Sequence, residues 1–295
     1  MKITNEAGLP DALVAAITND PYPTSKIGDI SATRLIDAPR VRVLTKRHGA
    51  EITEDASDRI WALLGQSVHA ILERAHTVFE QSVVERRLFA EVEHWTVSGQ
   101  FDRLGLLEGG VLQDYKTTSV WSVIHGPKPE WEAQLNVLAF LAKCNGIPVA
   151  RLEIVAILRD WSRGKAKAGG NYPSHQVKVM EIPLWSDTQA ADYVAHRVRL
   201  HQSAEALPDD DLPPCTPVER WQGADVYAVK KPGRKSAIKL HDTAEAAETH
   251  ATELGGSHFV EHRPGVSVRC ADYCAVAAFC SQYQTEQANI HQEAA

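Results

Sequence analysis

The stretch Gly99–Thr118 reads GQFDRLGLLEGGVLQDYKTT. It holds two carboxylates, Asp102 and Asp114, and an amine, Lys116, two places beyond the second acid. Between the acids runs an apolar segment broken by Gly109–Gly110, the pattern of two strands around a turn. A hairpin lets residues of its two strands lie side by side on one face, and Asp114 and Lys116 share a face by the alternation of strand side chains. Two carboxylates suit a hard divalent cation such as Mg²⁺. Such a cation activates water and stabilises a phosphoryl oxyanion, while a lysine orients the water or neutralises developing charge. A D-x-K pair on a solvated strand makes only a surface ion pair, so the chemistry needs further groups.

Those groups lie on the elements around the hairpin. From Asp58 to Phe79, Trp61, Leu64, Val68, Leu72, Ala75 and Phe79 recur at three- and four-residue steps, which predicts an amphipathic helix. Gly65, His69 and Glu73 line one face of it. His69, flanked by Val68 and Leu72, suits either a core position or a metal site. Strands are predicted over 88–117, and Gly99 allows close backbone approach beside Asp102. A helix over 131–143, ended by Asn145–Gly146, places Gln134 where its amide can reach Lys116 or a phosphate. Glu91 is a further candidate to support the site. Strands at 152–158 and 176–184 and a helix at 188–201 complete this part.

Together the residues resemble the RecB-like branch of the PD-(D/E)XK nuclease superfamily, which includes CRISPR-associated adaptation nucleases and the nuclease domains of recombination helicase–nucleases. Its ordered signature is G-x-x-x-H-x-x-x-E, G-x-x-D, D/E-x-K and Q-x-x-x-Y, and the corresponding segments here are GQSVHAILE, GQFD, DYK and QLNVL. The last tyrosine falls at Leu138, a departure that removes its hydroxyl. The resemblance spans residues 31–184. It implies an α/β restriction-endonuclease-like core, a mixed central sheet flanked by helices. It also implies Mg²⁺ or Mn²⁺ held by His69, Asp102 and Asp114, with the Tyr115 carbonyl as an addition. Lys116 would be the catalytic lysine, and Gln134 would position the lysine or DNA. The activity implied is a DNA nuclease, an exonuclease on single strands or DNA ends, in recombination, repair or phage DNA processing. A non-catalytic DNA-binding accessory protein with a structural metal, or a structure-specific endonuclease such as a junction resolvase, remains open.

Of five cysteines, Cys270, Cys274 and Cys280 crowd together, and Cys215 can supply a fourth thiolate. Four thiolates satisfy an iron–sulfur cluster or a zinc ion. The same nuclease branch is known for an iron–sulfur cluster held by one distant and three C-terminal cysteines, so the resemblance implies a 4Fe–4S cluster, with Zn²⁺ as the alternative. Two departures stand out: the family's isolated cysteine precedes the core, near Ala38, whereas Cys215 follows it, and the gap between Cys270 and Cys274 is longer than usual. Cys144, at the end of an apolar helix, reads as a core residue.

The chain has 295 residues with 44% hydrophobic and 23% charged side chains, ordinary for a globular protein, and a net charge of −7. It predicts an irregular lead-in at 1–30, a nuclease core at 31–207, a small α+β cysteine-containing subdomain at 208–283 and a polar tail at 284–295. LPDDDLPPCTP reads as the linker between the larger two. In the subdomain a hairpin turns at Pro232–Gly233, a helix starts at an Asp242 N-cap and ends before Gly255, and HFVEHR forms a strand. The hairpin gathers Lys230, Lys231, Arg234 and Lys235, and the loop after residue 158 gathers Arg163 and Lys165 beside Trp161, as DNA contacts with an aromatic for base stacking. No apolar run reaches membrane-spanning length and no signal-peptide pattern opens the chain, so a cytoplasmic location is expected. No phosphate-binding G-x-x-x-x-G-K-(S/T) motif is present, so unwinding would come from a helicase or recombination partner.

Overall fold

The computed structural model describes residues 1–19, 28–74 and 81–293. Pro21 and Pro23 of the lead-in, and Ala75 and Phe79 of the first predicted helix, lie outside them. The elements are β1 (Lys2–Thr4), α1 (Asp11–Thr18), β2 (Ile30–Ser31), α2 (Ala32–Ile36), α3 (Pro39–His48), β3 (Thr53–Asp55), α4 (Ile60–Glu73), β4 (Ser82–Val92), β5 (Trp95–Gly105), β6 (Val111–Thr118), α5 (Trp121–Ile124) and α6 (Pro129–Cys144). There follow β7 (Arg151–Leu158), α7 (Arg163–Ala168), β8 (Val177–Ile182), α8 (Asp187–Glu205), β9 (Val226–Lys230), β10 (Lys239–His241), α9 (Ala244–Leu254), β11 (Phe259–Arg263), α10 (Val268–Asp272) and α11 (Ser281–Glu293). They form two compact units, one of residues 1–39 and 53–206, the other of 40–52 and 207 onward.

The first unit is built on a mixed six-stranded sheet. One edge of β5 carries β4, antiparallel, and the other edge is shared by β2, parallel, and β6, antiparallel. β7 joins β6 in parallel and β8 closes the sheet antiparallel. Two turns set the registers. Glu93 and His94, both left-handed at φ 48° and 63°, connect β4 to β5 in the two-residue manner whose twist matches the strands. Gly109 and Gly110 come between β5 and β6, and a Cβ on Gly110 would meet the Pro148 carbonyl oxygen at 2.1 Å, so glycine is required there. The parallel β6–β7 pair needs a crossover, and α5 and α6 supply it. α6 buries Trp131, Leu135, Leu138, Leu141 and Ala142, and β7 buries alternate residues Leu152, Ile154, Ala156 and Leu158. These join Leu35, Phe101, Leu104 and Leu112 in one core. Buried Asn136 donates to the Pro183 carbonyl and accepts from the Trp185 N–H, fastening α6 to the β8–α8 connection.

The second unit holds the antiparallel sheet β10–β9–β11, with α9 packed on it. Here α3 belongs, although its flanking sequence lies in the first unit. His48 and Arg47 on α3 bind the Asp209 carboxylate at 2.6 Å each, an anchor between residues about 160 apart that local patterning does not reveal.

Several sequence expectations change. The lead-in contains α1 and a strand, β1, paired in parallel with β3. The hairpin strand before Asp102 starts at Ser82 rather than Leu88. Thr243, not Asp242, caps α9, its hydroxyl accepting from the Ala246 N–H. The polar tail is helical through Glu293, because its first turns are tied down: Gln282 exchanges hydrogen bonds with the Cys215 backbone, and Glu286 binds Arg220 and Ser267. Cys144 is exposed at the end of α6, outside the core. Among the described residues no helix is long and apolar enough to cross a membrane.

Candidate active site

The β5–β6 ladder pairs Arg103 with Gln113 and Leu104 with Leu112, so one step further Asp102 faces Asp114. The β4–β5 ladder pairs Val84 with Arg103 and Arg86 with Phe101, so Glu85 also faces Asp102. Three carboxylates thus converge from three neighbouring strands. Glu85 carries a left-handed backbone, φ 48°, an unfavourable state for a residue other than glycine, costing about 1–3 kcal/mol.

The side chains divide into two groups joined through the backbone of one residue. In the first, His69 from α4 points its Nδ1 at Asp102 Oδ1, 3.4 Å away, and at Glu85 Oε1, 3.7 Å away. Among the described residues, these three form the group of His, Cys, Asp and Glu ligand atoms that all lie within 4.8 Å of one another. The Asp102 carboxylate, then Glu85, pushes the imidazole up to about 10. The same two acids would favour a divalent cation there, which displaces a proton from its ligand. Gln100 donates to Glu85 Oε2 at 2.6 Å and accepts from Arg87, holding that carboxylate from behind.

In the second group Asp114, 3% exposed, sits under Lys116 and Gln134. Gln134 donates to Asp114 Oδ1 at 3.2 Å and accepts from Lys116 at 3.1 Å, so a single amide spans the acid and the amine. The amine lies 2.7 Å from Asp114 Oδ2, so the buried carboxylate is ion-paired on that side. Burial raises the Asp114 carboxyl to about 6, Lys116 opposing the rise and Asp102 adding to it. The Tyr115 backbone, between Asp114 and Lys116 in the chain, links the groups. Its N–H donates to Asp102 Oδ2 at 2.6 Å, and its carbonyl accepts from His69 Nε2 at 3.1 Å.

His69, Asp102, Asp114, Tyr115, Lys116 and Gln134 are therefore brought together, with the Tyr115 carbonyl engaged by the imidazole. Glu73 is exposed at the end of α4, and Glu91 pairs with Thr96 next to the hairpin turn, far along the strand from Glu85. Glu85 is the acid that the sequence reading missed. Its signal was the hairpin register: two-residue closure at Glu93–His94 pairs position 85 with 102. Gly99 makes its close approach to α6 rather than to a carboxylate, a Cβ there meeting Leu138 Cδ2 at 2.5 Å. Leu138, standing where the family signature has tyrosine, thus packs on the signature glycine.

The expected DNA contacts separate. Trp161 packs against the core and donates its indole N–H to the Pro173 carbonyl at 2.8 Å, so it is not a free stacking face. Arg163 and Lys165 are exposed on α7. Lys230 is bound to Glu261 at 2.7 Å across the small sheet, its charge answered by an acid distant in sequence, while Lys231, Arg234 and Lys235 are exposed.

In the second unit Cys215, Cys270, Cys274 and Cys280 line one pocket. Burial, then Glu219 and the three other thiols, pushes Cys215 up to about 12, and burial, then Cys274 and Cys280, pushes Cys270 up to about 11. Thiols so placed ionise when a cation draws them together. Arg40 from α3, 4% exposed, brings its guanidinium to 3.9 Å from Cys280 Sγ and 3.2 Å from Ser281 Oγ, and also binds the Leu212 and Pro213 carbonyls. Nothing local in the sequence pointed to Arg40.

No protein-family model matches the chain, and no curated protein matches its sequence. Among solved structures, SSO0001 is similar at 16% identity and a TM-score of 0.44, over 64% of this chain and 84% of that one. An alkaline exonuclease, LHK-Exo, from Laribacter hongkongensis is similar at 15% identity and a TM-score of 0.37, over 60% of this chain and 89% of that one. The same exonuclease in complex with dAMP matches at a TM-score of 0.30 and 15% identity, over 59% of this chain and 92% of that one. Similarity at this level carries no argument about function, which rests on the side chains.

Proposed function

We propose that the chain is a divalent-metal-dependent DNA nuclease of the RecB-like PD-(D/E)XK kind, an exonuclease on single-stranded DNA or DNA ends. The observation that supports it most is the pairing of the His69–Glu85–Asp102 group with the Asp114–Lys116–Gln134 group through the Tyr115 backbone. The donor set suits Mg²⁺ or Mn²⁺: it is oxygen-rich, with the Glu85 and Asp102 carboxylates beside His69 and a buried Asp114 next to them. His69, Glu85, Asp102 and Asp114 would hold the ion. When bound, it supplies an activated water and charge stabilisation for the phosphoryl oxygens. Lys116, restrained by Gln134 and Asp114, orients the attacking water and answers charge developing on the phosphate. Exposed Arg163, Lys165, Lys231, Arg234 and Lys235 are the candidates for backbone phosphates.

The cysteines form a structural metal site in the same reading. The four cysteines line one pocket, and of the two centres that four thiolates satisfy, the family resemblance favours a 4Fe–4S cluster over Zn²⁺. Recombination, repair or phage DNA processing, with a separate helicase partner, is the setting such an activity fits.

End-labelled single- and double-stranded DNA, incubated with the protein in Mg²⁺, Mn²⁺ or EDTA, tests the activity. Shortening from ends with either metal and none in EDTA is expected. Binding without cleavage would point to the accessory protein, and defined internal cuts to the structure-specific endonuclease.

A further inference from the structure

The loops that leave β6 and β7 are tied together. The Arg159 N–H donates to the Thr118 carbonyl at 2.9 Å, and the Val120 N–H donates to the Asp160 carboxylate at 2.7 Å. The strands are parallel neighbours with Thr118 beside Leu158, so both loops issue from one end of the sheet, just beyond Lys116. Trp121 follows there at the start of α5, 72% exposed. Trp61, in the first turn of the helix that carries His69, is 56% exposed, and the Arg159 guanidinium lies over its ring, 4.1 Å from the centroid. α4 itself packs against β6. Two indoles and a stacked guanidinium therefore gather beyond the end of the strand that carries Asp114 and Lys116. Beyond Arg159, α7 adds the exposed cations Arg163, Lys165 and Lys167.

Flat aromatic faces, a guanidinium plane and a run of cations are the chemistry that grips an unpaired base and its phosphate. A duplex hides its base faces in the stack, so such a surface engages a single strand or a frayed end. Trp161, the aromatic in the same loop, is tied to Pro173 and leaves this role to its neighbours. Resting on the nuclease reading above, we propose that Trp61 with Arg159, and Trp121, form a stacking platform for unpaired nucleobases of the DNA strand that enters the site.

The test uses fluorescence anisotropy in EDTA, comparing a labelled oligothymidylate with an abasic oligomer of the same length. Wild-type protein should prefer the oligothymidylate. Trp61→Ala and Trp121→Ala should each reduce that preference by about five- to a hundredfold, the range of one base–aromatic stack. Affinity for the abasic strand and its salt dependence should hold, because the phosphate contacts remain. Trp121→Phe should keep most of the preference, separating stacking from a structural role. A wild-type protein indifferent to the bases, or a Trp61→Ala/Trp121→Ala double variant that retains the preference, would overturn the platform while wild-type cleavage leaves the nuclease reading intact. A wild-type protein that neither binds nor cleaves DNA would overturn both.

Discussion

Asp114 is buried beside an amine that answers only part of its charge. Burial raises its carboxyl to about 6, above the unfolded value of 3.8, so the folded state holds this proton more tightly. Its ionisation therefore removes stability as pH rises between about 4 and 6, and metal-free protein bears that cost at neutral pH. His69 works in the other direction. Its folded value of about 10 exceeds 6.5, so its contribution is full below pH 6.5, declines progressively as pH rises above that and is gone once pH passes 10. Asp114→Asn is expected to raise the stability of metal-free protein at pH 7–8 by about 1–3 kcal/mol, read from urea unfolding in EDTA, while abolishing cleavage. A variant that is inactive and also destabilised would show that the charge is not what costs stability. Lys116→Ala should lower the cleavage rate by about 10²–10³ at saturating metal, with unfolding still cooperative. Glu85→Gln should raise the Mg²⁺ concentration for half-maximal rate by about 10–100-fold, whereas Glu91→Gln should leave it unchanged, since Glu91 lies beside the turn.

The element that holds Gln134 at the site is α6, and its seat on β5 depends on a missing side chain. Gly99 is in ordinary extended backbone; its role is space. A Cβ there would lie 2.5 Å from Leu138 Cδ2 and 2.8 Å from Leu141 Cδ1. Gly99→Ala must push α6 away or force off-rotamer leucines, at about 1–3 kcal/mol. The shift reaches Gln134, one turn before Leu138, and with it the Lys116 amine. Gly99→Ala should therefore lose stability in urea and lower the turnover rate together. Adding Leu138→Ala should relieve the overlap and recover part of the turnover, and failure to recover would show that Gly99 acts through something other than α6.

At the scale of the whole molecule, the chain alternates between two compact units, crossing at residues 39–40, 52–53 and 206–207. The second unit buries fewer large side chains than the first: among its described residues the buried hydrophobics are Val43, Leu44, Ile52, Leu212, Ala228, Val229, Ala247, Val276 and Cys280. A unit so lightly filled gains most from a metal site, whose binding free energy is folding free energy. Protein purified without oxygen should be brown, and Cys280→Ser or Cys215→Ser should bleach it and make residues beyond 207 sensitive to protease. A colourless protein with one tightly held zinc would exchange the metal and keep the site. Arg40→Ala should weaken metal retention as well, since the guanidinium next to Cys280 Sγ balances the charge of ionised thiols.

The sequence by itself determined the elements whose periodicity is local. The α6 helix, the β7–β8 pair, the Gly109–Gly110 turn and the D-x-K spacing on β6 all follow from side-chain alternation, helical repeats and turn chemistry acting over a few residues. It also supplied candidates: Asp114 and Lys116 share a strand face by alternation, and the resemblance to an ordered family signature added His69, Asp102 and Gln134 from other elements. Tertiary structure alone decided what depends on register and on partners distant in the chain. Glu85 faces Asp102 only through the register of a hairpin closed by two non-glycine residues, a turn that composition does not announce. Lys230 loses its free charge to Glu261, Trp161 its free face to the core, and Arg40 reaches Cys280 from 240 residues away. Periodicity reports which face of an element is apolar, but which charge or ring meets which is set by the packing of elements against one another, and no local pattern carries that information.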